Sequence, residues 1–84
     1  MILADRIRQH VRDEIIQPAR LSGLSTVHVC ARDVHQALGL HNRLPAVCAA
    51  LDADKFLDYA QVNLVERSGP MQGSTAEWIF TIHS

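Results

Sequence analysis

Four side chains with an affinity for transition metals lie near one another in the chain. They are Cys30, His35, His41 and Cys48, separated by four, five and six residues. Two thiols and two imidazoles could in principle hold a tetrahedral zinc ion. The spacing argues against it, because structural zinc sites use compact pairs of ligands and no such pair occurs here. Cys48 falls on an apolar helical stripe, and His35 projects away from Val34 and Leu38. The expectation is reduced, buried thiols and surface imidazoles, with no metal and no cofactor. Catalysis has no firmer basis. The sequence holds no glycine-rich phosphate loop and no recognisable nucleophile motif. A Ser/His/Asp set can be assembled from almost any chain of this composition and carries no weight. A non-enzyme is expected.

A second set of residues suits recognition rather than reaction. Residues 42–56 read as a helix in which Leu44, Val47, Cys48 and Leu51 form a buried stripe at i, i+3, i+4, i+7. The opposite face carries Asn42, Ala46, Ala49 and Ala53, with Ala50 and Arg43 at its edge. A face of alanines offers few long side chains for solvation and lets a large partner come close. This helix is expected to be covered on both sides, once by the domain's own core and once by something else.

The bulk properties limit what that partner is. At 84 residues the chain makes one small domain, 1–84, near the size where a single core just suffices. Hydrophobic residues make up 48% and charged residues 20%, a balance that favours folding over disorder. The formal net charge is −1, whereas a dedicated nucleic-acid domain is usually basic. No apolar run approaches the ~20 residues of a membrane span. With no secretory leader ahead of two cysteines in apolar stretches, a cytoplasmic protein is expected.

The elements that must position these residues follow in chain order. Residues 2–17 read as a helix with Leu3, Ala4, Ile7, Val11 and Ile15 on its apolar stripe and Ile16 on the polar side. Asp5 can pair with Arg8, one turn on, and Pro18 stops or kinks the helix. Residues 18–26 are a connection with its sharp turn at Gly23. Residues 26–30 alternate as a strand, with Val27 and Val29 on one face. Residues 31–38 make a short helix with Val34, Ala37 and Leu38 inward and Gly39 as its C-terminal cap. Asn42 is placed to cap the next helix, and Pro45 falls in its first turn. That helix continues or restarts as far as Ala60. Residues 62–67 and 76–82 read as strands joined by a turn-rich loop at 68–75, with Trp78, Phe80 and Ile82 sharing a face. Leu3, Ile7, Val11, Ile15, Val29, Val34, Leu38, Leu44, Val47, Leu51, Trp78 and Phe80 are expected in one core. The fold class is α+β, with three main helices and a short antiparallel sheet.

Two short helices joined by about four residues containing glycine are the signature of a helix-turn-helix. The order helix, strand, helix, helix, strand, loop, strand resembles the winged helix-turn-helix superfamily over nearly the whole chain. The likeness rests on that order, on Ala31-Arg32-Asp33-Val34-His35-Gln36-Ala37-Leu38-Gly39-Leu40 leading into Asn42-Arg43-Leu44-Pro45, and on the loop at 68–75. The resemblance implies that residues 42–56 are the recognition helix of a DNA-binding module and that 68–75 is the wing. His41, Asn42 and Arg43 would then stand at the front of the recognition helix, where side chains meet base edges. Arg reads guanine and Asn reads adenine, while the methyl groups of Ala46, Ala49 and Ala50 can meet thymine methyls. Arg32 and Gln36, one turn apart, suit a phosphate, and Arg67 and Gln72 flank the wing. Asp52, Asp54 and Asp58 oppose this reading wherever they face a duplex. Modest affinity is expected of one copy, so a homodimer or tethering to a larger protein would have to compensate. The alternative is a protein-interaction domain that docks a partner on the same alanine face, since the fold itself does not fix function.

Overall fold

The computed structural model describes residues 2–83. Its first helical run joins α1 (Leu3–Val11), a π-helical segment (Arg12–Ile16) and α2 (Gln17–Leu21). Pro18 therefore does not end the helix. Pro18 has no N–H to give, and the Gln17 N–H reaches back five residues to the Arg12 carbonyl. One residue is absorbed without a break. The insertion rotates the apolar stripe by roughly 100°, so Ile16 is fully buried while Ile15 is only partly so. This reverses the expectation for Ile16. It also shortens the expected connection at 18–26, which turns at Gly23 with φ 80°.

β1 (Thr26–Cys30) alternates as expected, with Val27 and Val29 buried. α3 (Ala31–Ala37) follows directly. Val34 lies in the core, Leu38 is partly buried and Ala37 is exposed, not inward. Gly39 ends the helix in the left-handed region at φ 65°.

The expected helix at 42–56 is two helices. α4 (Leu44–Asp52) ends where Ala53 adopts an extended conformation, φ −75° and ψ 135°, and α5 (Asp54–Ala60) restarts at once. On an unbroken helix Phe56 would point roughly 140° away from Leu51. The break turns Phe56 into the core, where its ring lies 5.5 Å from that of Phe80.

β2 (Val62–Ser68) and β3 (Glu77–Ile82) form the hairpin, and the antiparallel sheet has the order β1-β3-β2. Val27 and Val29 stand opposite Phe80 and Trp78, which puts all four on the helix-facing side. In β2 the register shifts between Leu64 and Glu66. Val65 is the extra residue of this bulge. As a result Arg67, and not Glu66, stands opposite Trp78 on the inner face. The core gathers Ile7, Val11, Ile16, Val29, Val34, Val47, Leu51, Phe56, Val62, Trp78 and Phe80, with Leu3, Ile15, Leu38 and Leu44 packed at its margin. The radius of gyration, 11.7 Å, matches a compact chain of this length. Among the described residues no helix is long and apolar enough to cross a membrane.

Candidate nucleic-acid interface

The corner between α3 and α4 is built by backbone geometry. The Leu40 N–H returns to the His35 carbonyl at 3.1 Å, and the Gly39 N–H to that of Gln36 at 3.0 Å. Asn42 takes a left-handed conformation at φ 54°, which asparagine tolerates better than most residues. It is therefore a turn residue and not the expected cap. Arg43 occupies the N-cap position with no side-chain cap bond. Instead, the Arg43 N–H donates to Nε2 of His35 at 3.2 Å. Pro45 sits in the first turn of α4, as its missing N–H favours. The result is a tight corner on which His41, Asn42 and Arg43 are all exposed, with Arg32 and Gln36 exposed on α3.

The outward face of α4 differs in one place from its helical projection. Ala49 is exposed and Ala46 partly so, but Ala50 is 1% exposed. α1 covers it, and the buried Arg8 donates from Nε to the Ala50 carbonyl at 3.0 Å. Ala50 thus leaves the set of residues that a partner can touch. The exposed strip of α4 is Pro45, Ala49 and Asp52.

Arg67 has a different place from the one expected for it. Its guanidinium pairs with both carboxylate oxygens of Asp52, at 2.9 and 3.2 Å. It donates to the carbonyls of Ser68, Pro70 and Met71 at 2.7–3.1 Å and lies 4.8 Å over the Trp78 ring. The Trp78 indole N–H donates to the same carboxylate at 2.7 Å. The Asp52 carboxylate raises the Arg67 pKa further above its usual value. Arg67 is consequently saturated by its own domain, and Asp52 is neutralised in turn. The β2 bulge makes this possible by turning Arg67 toward Trp78.

The β2–β3 loop is closed rather than extended. Gly69 has φ 82°, and a Cβ there would collide with the Thr75 carbonyl oxygen. Further on, the Ala76 and Ser74 carbonyls accept the Ala31 and Arg32 N–H groups at 2.9 and 3.2 Å. These bonds cap the N-terminus of α3, which has no side-chain cap. The two thiols hold the same stretch, Cys30 against the Ser74 carbonyl at 3.6 Å and Cys48 against that of Gly73 at 3.8 Å. Burial pushes the Cys48 thiol up from its ordinary range. Met71 and Gln72 are left exposed at the tip.

Cys30, His35, His41 and Cys48 do not converge, since the thiols meet loop carbonyls and a ring nitrogen of His35 is occupied by the Arg43 N–H. Among the described residues no three His, Cys, Asp or Glu side chains gather into a metal cage. Arg8, Arg20 and Arg67 are cations whose tertiary partners sequence reasoning missed, although the expected Asp5–Arg8 pair is present at 3.5 Å. Only Arg8, spaced to meet Asp5 and flanked by Ile7 on the apolar side, offered a local hint. The protein-family models, the curated proteins and the solved structures contain no match to this chain.

Proposed function

We propose that this domain is a winged helix-turn-helix that binds double-stranded DNA through the corner of α3 and α4. The observation that supports this most is the exposure of Arg32, Gln36, His41, Asn42 and Arg43 together on that corner, with Ala46 and Ala49 behind them on α4. The sheet order β1-β3-β2 and the loop joining β2 to β3 agree with this reading. Asn42 and Arg43 would supply base contacts, Arg32 and Gln36 a phosphate contact, and small alanines the close approach. The loop contributes Gln72 but not Arg67, whose donors are already used. A formal net charge of −1 limits counterion release, so two copies or a tether to a larger protein would be needed for tight binding.

A second reading has its own observation. Arg67 is neutralised beside α4, and Met71 is 82% exposed at the loop tip. Those features, with Ala49, suit a protein partner. Fluorescence anisotropy with random duplex at low and moderate salt separates the two. DNA binding predicts saturable binding that weakens as salt rises. Absence of binding at low salt would reject it in favour of the protein partner.

A further inference from the structure

Between α1 and α5 lies a cleft of about 320 Å³, lined by Asp5, Arg8, Gln9, Lys55 and Tyr59. Asp5, Arg8 and Gln9 share one face of α1 by their i, i+3, i+4 spacing, and Lys55 and Tyr59 share one face of α5. The volume is at the small end of the range for ligand sites. Its chemistry is unusual for a surface groove. Arg8 is 8% exposed, and a buried guanidinium is costly unless its donors and charge are matched. Its Nε–H is matched by the Ala50 carbonyl. Its Nη1 reaches Asp5 only at 3.5 Å, and that carboxylate is more than half exposed. Among the described residues Nη2 has no partner, yet no polar side-chain atom there is both fully buried and unbonded. Nη2 is therefore not sealed from solvent, and Arg8 is one of the residues that line the cleft. Lys55 adds a second cation, and Tyr59 adds an aromatic wall whose ring is held by the Arg12 guanidinium at 4.5 Å.

We infer that this cleft binds a small planar carboxylate, with its anionic group on Arg8 and Lys55 and its flat apolar body against Tyr59. A guanidinium edge matches a carboxylate in two parallel hydrogen bonds, better than it matches a spherical anion. Asp5 then acts as an internal competitor that the ligand displaces. The site is separate from the α3–α4 corner and does not rest on DNA binding.

The test uses the full chain, with benzoate as probe and acetate and chloride as controls at equal ionic strength. Amide chemical shifts should move saturably at α1 and α5, with a millimolar dissociation constant for benzoate and a weaker one for acetate. Arg8→Gln risks unfolding, so exposed positions carry the test. Lys55→Ala should weaken benzoate about threefold, the scale of one partly screened ion pair. Asp5→Asn should tighten it by about the same factor, because the competitor is lost. Tyr59→Leu should erase the preference for benzoate over acetate. Shifts that fail to saturate, that scatter over the surface, or that weaken in Asp5→Asn would overturn the assignment.

Discussion

Two arginines that look alike in the sequence have opposite expectations. The Arg43 side chain is exposed at the start of α4 and is free to meet a partner. Arg43→Ala should leave the unfolding midpoint unchanged and cost ~1–3 kcal/mol on a preferred duplex, read by anisotropy across single-base variants. Arg67 is bound to Asp52, Trp78 and the loop carbonyls. Arg67→Ala should lower stability by about 2 kcal/mol in urea titrations and alter Trp78 fluorescence. Arg67→Lys should not restore it, because one ammonium cannot reproduce the bidentate pair and the stacking. Neither fate can be read from the residue type, since the difference depends on a one-residue bulge at Val65 that turns Arg67 toward Trp78 only once β2 has paired with β3. The thiols also part company. Cys30 is half-buried and should react with alkylating reagents before Cys48, which burial keeps protonated. The raised Cys48 pKa means that the unfolded chain ionises first as pH rises. Its contribution is complete below the ordinary thiol range and is lost above it, so stability should fall on the alkaline side and fall less in Cys48→Ala.

At the scale of elements, the periodic signals were legible and the irregular ones were not. Thr26–Cys30 alternates and is a strand, Gly39 ends a helix, Pro45 starts one, and the 68–75 loop joins a hairpin. Each follows from local propensity or from backbone freedom at one position. The π-helical segment and the break at Ala53 satisfy packing instead. They bring Ile16 and Phe56 into the core, and only the assembled fold decides that those residues belong there. Tertiary anchoring by Arg20 is of the same kind. It donates from Nη2 to the Ala60 and Gln61 carbonyls at 3.0 Å and from Nε to that of His83 at 3.3 Å. A cation there meets the Ala60 carbonyl at the C-terminus of α5 and joins the His83 N–H on the carbonyl of Gln61. Arg20→Ala should therefore cost roughly 1–2 kcal/mol and raise amide exchange at Ala60, Gln61 and Val62 more than in β1.

For the whole molecule, the question is which face of α4 belongs to the domain and which to a partner, and two adjacent alanines answer it. Ala50 is buried against α1, with its carbonyl held by Arg8. Ala50→Glu forces bulk and charge into that contact and should destabilise by about 3 kcal/mol or more, enough to unfold much of a domain this small. Ala49, one residue earlier, is exposed. Ala49→Glu should change the unfolding midpoint little, because glutamate is a good helix former. Its one charged neighbour on the strip, Asp52 at i+3, is already paired with Arg67, so the like-charge cost is roughly a few tenths of a kcal/mol. Its effect should appear only in binding. If α4 enters a major groove, the added carboxylate faces the duplex and abolishes specific binding, while Ala49→Lys preserves or raises affinity and steepens its salt dependence. If α4 docks a protein partner, both substitutions break the contact by bulk alone, and duplex affinity is negligible before either is made. The sign of the lysine variant thus separates electrostatic recognition from steric recognition in a protein whose fold both substitutions leave intact. An Ala49→Glu variant that unfolds like Ala50→Glu would remove this face from any interface and end both readings at once.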